Sequence, residues 1–337
     1  MKKVLASSFA ILTFTAALIA LSSKDSDKVI SKESDIKQEL KICDYSNSPV
    51  DCVKALWSAS FKNSNISNFY SAIDEYSRNS PTFTVYCHDA GHKAGRIAEA
   101  DGTSVTDIID NYSTPTGACN NGFLHGALDS FGNKKPKINE YIEVVRACES
   151  ATGLIRSACS DGIGHSSWLA SDNNIVKSTE ICLVFQKNYD RAVCLAGAIM
   201  QSLRFNPITN REPFISYEEG FTEIPKMCES ARTAGAPEEA IKLCFSQVSI
   251  PILEEVREYT NKVLNGNREA SAISKGAELW SKTLEKCYDY GEYSIDCAEQ
   301  VAAAVTWYVG DDPILRKNFC SRMPEPWLER CNQFRTR

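Results

Sequence analysis

Apolar residues three and four positions apart recur along most of the chain. In INEYIEVVRACES (138 to 150), Tyr141, Val144, Val145 and Cys148 fall on one helical face; ACSDGIGHSSWLAS (158 to 171), VCLAGAIMQSL (193 to 203) and DCAEQVAAAVTWYV (296 to 309) read as further apolar helical stretches. No alternating run bounded by turn dipeptides competes with this period, so the pattern predicts an all-α protein. The helical stretches come in pairs joined by a short polar or glycine-bearing turn. A cysteine closes the first helix of a pair and another opens the second.

The cysteines repeat this order. Short gaps separate Cys43 from Cys52, Cys148 from Cys159, Cys182 from Cys194, Cys228 from Cys244, Cys287 from Cys297 and Cys320 from Cys331. Neighbour pairing is expected from the recurring spacing and flanks, and Cys87 and Cys119 then pair by elimination. A disulfide between the end of one helix and the start of the next fixes a hairpin, at roughly 3 kcal/mol for a ring of this size in a loop-closure treatment. Disulfide-stapled αα-hairpins repeated in series are expected to form a solenoid or a closed helical toroid. This arrangement from Cys119 to Cys331 resembles the Sel1-like repeat proteins, relatives of the tetratricopeptide architecture. The resemblance implies architecture and carries no functional residue.

The start of the chain adds an address. After MKK, Val4 to Leu21 run without a charge and SSKDSDK follows, so residues 1–22 read as a signal peptide or an N-terminal membrane anchor. Residues 23–41 read as a polar linker and 42–337 as the cysteine-rich helical-repeat domain. Everything after the leader is expected outside the cytoplasm, periplasmic or extracellular, where fourteen cysteines persist as disulfides. The formal net charge of −6 speaks against nucleic acid, and KKPK at 134 to 137 is too short a basic run to reverse that. A membrane enters only through the N-terminal segment, and a partner would be a small molecule or an envelope protein.

The chemistry concentrates in residues 84–205; residues 206–337 read as scaffold. Aligning the second cysteines gives CNNGFLHG, CSDGIGHS and CLAGAIMQ, each with glycine three residues on, and with His125, His165 and Met200 six residues on. In later units Gln247 and Gln300 replace the glycine. Glycine within a helix is unfavourable by about 1 kcal/mol against alanine, so its recurrence predicts close approach of a neighbouring helix. Upstream, TVYCHDAGHKAG places His88 and His92 at i and i+4, the spacing by which one helix offers two imidazoles to one ion. His88, His92, His125 and His165 therefore form a candidate metal set suited to zinc, copper or iron, with Met200 as a weaker thioether candidate if the ion is copper. Asp89, Asp129 and Asp161 are candidates to orient the imidazoles or act as general base.

Three functions remain open on the sequence: an exported metalloenzyme with hydrolytic zinc or redox copper or iron chemistry, a metal carrier or structural metal site, and an envelope interaction module in which each histidine is a packing residue. The chain has no haem-attachment CxxCH, phosphate-binding glycine loop, GxSxG turn or HExxH.

Overall fold

The computed structural model describes residues 33–62, 66–112, 118–203, 217–248, 270–309, 317, 320–321, 325 and 327–333. The leader, most of the linker and the 204–216 segment lie outside them. Every described element is helical: α1 Glu33–Asp44, α2 Pro49–Lys62, α3 Ile66–Asn79, α4 Pro81–Ala100, α5 Val105–Tyr112, α6 Gly122–Asn133, α7 Ile138–Ser150, α8 Gly153–Ala170, α9 Ile175–Cys182, α10 Asn188–Ser202, α11 Tyr217–Thr233, α12 Glu238–Ser246, α13 Ala270–Cys287, α14 Ser294–Val309 and α15 Trp327–Gln333. Short 3-10 turns, Ala118–Asn121 and Tyr288–Tyr293, precede α6 and α14. None of the described helices is long and apolar enough to cross a membrane.

All fourteen cysteines lie at disulfide distance in the expected pairs. Six pairs close segments of 9 to 16 residues, whereas Cys87 and Cys119 are 32 apart. In all five hairpins whose two helices are described the turn is shorter than expected. The second cysteine lies within the second helix instead of at its start: Cys159, Cys194 and Cys244 are each the seventh residue of α8, α10 and α12, and Cys52 and Cys297 the fourth of α2 and α14. Gly153, at φ 57°, makes the reversal into α8, which begins almost directly after α7. Helix α1 begins at Glu33, inside the stretch read as linker, because Ile36, Leu40 and Cys43 bury one face of it.

Two sets of helices follow from the packing. Helices α2, α4, α6, α8, α10, α12, α14 and α15 contact one another in that order, while α1, α3, α5, α7, α9, α11 and α13 pack alongside them. The core falls into two clusters that divide between α8 and α10, one from Ile36 to Cys194 and one from Trp168 to Cys331. Trp57, Phe69, Phe83 and Tyr141 fill the N-terminal cluster and Trp280 the other, all within 1% of full burial.

Glycine explains how closely the first set packs. A Cβ at Gly95 of α4 would overlap the Phe123 carbonyl oxygen of α6, and one at Gly126 of α6 would overlap the His92 carbonyl oxygen of α4. The same relation recurs between Gly164 of α8 and the Cys194 carbonyl, and between Gly197 of α10 and the Asp161 carbonyl. Of the glycines three residues after a cysteine, Gly122 and Gly197 meet the backbone carbonyls of His88 and Asp161, whereas Gly162 meets the Leu128 side chain.

Candidate metal centre

All four histidines of the chain lie on three consecutive, closely packed helices: His88 and His92 on α4, His125 on α6, His165 on α8. Helix α4 starts where Ser80 caps it by accepting the Phe83 N–H at 3.2 Å, with proline in the first turn. Its first turns are pinned to α1 by Asp44, whose carboxylate accepts from the hydroxyls of Tyr76, Ser80 and Tyr86. Burial and that carboxylate push both phenols above their ordinary range, so they remain donors. His88 and His92 then follow one turn apart.

One nitrogen from each of His88, His92 and His125 lies within 4.8 Å of the other two. The ring centroids are 4.6 Å apart for His88 and His92, 5.8 Å for His88 and His125, and 5.7 Å for His92 and His125. Hydrogen-bond partners assign the protons. His88 Nδ1 is 2.9 Å from the Cys119 carbonyl oxygen and His125 Nε2 is 2.9 Å from the Ala158 carbonyl oxygen. A carbonyl only accepts, so both nitrogens carry hydrogen. His92 Nδ1 donates to Asp129 Oδ2 at 2.9 Å. Each neutral ring is left with its lone pair on the other nitrogen: His88 Nε2, His92 Nε2 and His125 Nδ1.

Those lone pairs require something between them. His88 Nε2 and His92 Nε2 are only 3.0 Å apart, and His125 Nδ1 is buried with no hydrogen-bond partner. Two acceptors at that distance repel unless a proton or a cation intervenes. Tetrahedral ligands about 2.0–2.1 Å from a zinc ion are separated by roughly 3.3 Å, close to the His88–His92 spacing and within the 4.8 Å that spans all three. The residues therefore fit a metal ion.

Burial drives His125 down to about 3, against the pull of Asp161, so its imidazole is neutral and its lone pair available at any moderate pH. For Asp129, 4% exposed, burial acts to raise the carboxyl, but His92 and His165 beside it hold it well below the ordinary range. Arg96, one turn beyond His92, reaches the same oxygen at 3.4 Å. A ligand histidine whose other N–H is held by a carboxylate or carbonyl is the usual outer shell of a metal site.

The remaining sequence candidates fall out differently. His165 is fully buried and its ring lies 5.3 Å from that of His125, but its nitrogens face Asp129 Oδ1 at 3.7 Å and Asp161 Oδ2 at 3.5 Å instead of joining the close triad. Asp129 stands four residues beyond His125 on α6 but holds His92 across the helix interface, its carboxylate turned toward α4. Asp161 Oδ2 stands near both His165 and His125, at 3.5 and 3.6 Å. Asp89 directly follows His88 and so projects about 100° around α4 from it. Met200 lies half-buried on α10, which packs against α8 and continues the row away from the triad.

Three contributors had no forecast from the sequence: Arg96 and the Cys119 and Ala158 carbonyls. Arg96 had a signal, since His88, His92 and Arg96 are spaced by four on one face of α4. The carbonyls had none. The Cys119 carbonyl sits in a turn with two left-handed non-glycine residues, Cys119 at φ 53° and Asn121 at φ 57°, a conformation of about 1–3 kcal/mol in strain per residue. That strained turn directs the carbonyl at His88. Compared with protein-family models, curated proteins and solved structures, the chain has no match.

Proposed function

We propose that the chain is an exported, disulfide-stapled helical-repeat metalloenzyme whose His88, His92 and His125 hold one divalent first-row ion, zinc in the first instance. The observation that carries this reading is three imidazoles, each with a nitrogen within 4.8 Å of the other two and each donating a ring N–H to a carbonyl or carboxylate. Thiolate ligands are excluded because no cysteine is free. An all-imidazole set suits zinc, and copper or iron oxygen chemistry is the second choice of ion.

Three ligands favour catalysis over a structural role. Structural zinc sites close with four protein ligands, whereas catalytic ones keep a position for water or substrate. Zinc held in this way lowers the pKa of a bound water to about 7 and polarises a carbonyl or phosphoryl oxygen. The chain's own groups do the rest: Asp129 and the two carbonyls hold the rings, Arg96 supports the Asp129 charge, and half-buried His88 and Asp161 mark the side nearest solvent. Hydrolysis or hydration is the reaction class. The seven disulfides support an oxidising compartment, and the ordered packing of hairpin on hairpin supports a solenoid of the Sel1-like kind.

Metal-free, oxidised protein loaded with zinc should hydrolyse an activated ester such as 4-nitrophenyl acetate, with a rate that rises through an apparent pKa near 7 and vanishes in His92→Ala. Binding of zinc without any rate above that of free zinc would remove the catalytic part and leave a carrier.

A further inference from the structure

We propose a second cation position beside the first, between the imidazole of His165 and the carboxylate of Asp161. It extends the triad reading and rests on it.

His165 has no exposed surface, and neither of its ring nitrogens has a hydrogen-bond partner. Buried polar atoms are nearly always paired, so a fully buried imidazole with two orphans signals a missing partner. The surroundings say which kind. Nδ1 faces Asp129 Oδ1 at 3.7 Å, and that oxygen is itself buried and unpartnered. Because Asp129 Oδ2 takes the Nδ1–H of His92, a proton on His165 Nδ1 lets one carboxylate bracket both rings, which lie within 14° of parallel. The lone pair of His165 is then on Nε2, directed at Asp161 Oδ2 3.5 Å away.

A lone pair facing an anionic oxygen repels unless a proton or a cation lies between them. The 3.5 Å spacing exceeds the 2.7–3.2 Å of an N–H···O hydrogen bond. It lies close to the edge of roughly 3.4 Å joining two ligands about 2.0–2.2 Å from a tetrahedral ion. The same oxygen is 3.6 Å from His125 Nε2, whose proton is committed to the Ala158 carbonyl. The Asp161 side chain keeps 19% of its surface exposed, which gives an ion a route in and room for water ligands. With two protein ligands this position binds more weakly than the triad. Two cations side by side select substrates with an anionic oxygen, phosphate esters or carboxylates, because each ion takes one oxygen of the reacting group.

The test is a zinc titration of the metal-free, oxidised full-length chain followed by native mass spectrometry. Two equivalents are expected, the second bound at least tenfold more weakly. Asp161→Asn, a near-isosteric change at a half-exposed position, and His165→Phe should each retain only the tighter equivalent, while His92→Ala loses the tighter one. Melting by circular dichroism checks that each variant is folded. A single equivalent in the parent and in both variants, or a weak second equivalent that persists in them, overturns the second position and leaves the triad standing. No zinc bound by the parent overturns the triad reading itself.

Discussion

His125 carries opposite demands on its two nitrogens: one donates to a backbone carbonyl, the other is buried and bare. Its depressed value gives a pH signature in the metal-free protein. The folded form titrates at about 3 and the unfolded form at the ordinary 6.5. Below about pH 6.5 the unfolded chain therefore binds the proton first, and stability falls with acidification across the window from 6.5 to 3. Asp129, also lowered, adds a loss in the same direction as pH falls below the usual carboxylate value of 3.8. Urea melts at pH 7 and pH 4.5 should show a smaller pH penalty in His125→Gln than in the parent; equal penalties would contradict the assignment. Asp129→Asn keeps an acceptor for His92 but removes its charge, so zinc affinity should drop about 10- to 100-fold in a chelator competition. At this scale the sequence revealed the imidazoles, through the fixed offset of His125 and His165 from cysteine and the i, i+4 pair on α4. It did not reveal which carboxylate serves which ring. Asp129 and His92 meet only across a helix interface, and a backbone carbonyl has no sequence signature.

The interface between α4 and α6 sets the distance from His88 and His92 to His125. Helix propensity alone predicts that alanine for glycine at 95 or 126 stabilises by about 1 kcal/mol. The added methyl has no space, however, since it would overlap a carbonyl oxygen of the facing helix, and overpacking typically costs about 1–3 kcal/mol. Gly126→Ala should therefore be net destabilising, by up to about 2 kcal/mol, in denaturant melts. It should also weaken zinc binding, because the helices separate where the ligands sit. Unchanged stability and affinity would mean that the contact is looser than described. Gly122, three residues after Cys119, announced this closeness, since it too meets a carbonyl of α4, that of His88. A second signal lies in GHKAG (91–95) and GFLHG (122–126), two glycines four apart on each of the facing helices.

Across the whole molecule the staples divide into two kinds. Five join the two described helices of a hairpin, and these, like Cys320–Cys331, were legible because their spacing and flanks repeat. Cys87–Cys119 instead ties the ligand-bearing α4 to the turn whose carbonyl orients His88. Removing it as Cys87→Ser/Cys119→Ser should lower zinc affinity by about 10-fold or more, since it frees a group that orients a ligand. Cys320→Ser/Cys331→Ser, at the far end of the row, should cost stability and leave affinity as it was; a comparable affinity loss in both would assign the effect to general loosening. The helical hairpins and their order could be read from periodicity alone. The start of α1 and the shortness of the turns could not, because there tertiary burial and a left-handed glycine override the local polarity of the sequence.

The central claim is that three imidazoles from α4 and α6 hold a metal ion. Its most direct test is metal content by mass spectrometry on protein secreted and oxidised by its own host, alongside His92→Ala and His165→Ala. The account predicts at least one near-stoichiometric first-row ion in the parent, lost in His92→Ala with the disulfide-held fold intact and retained at the tighter position in His165→Ala. A metal-free parent that also stays empty after equilibration with zinc, copper and iron would contradict it.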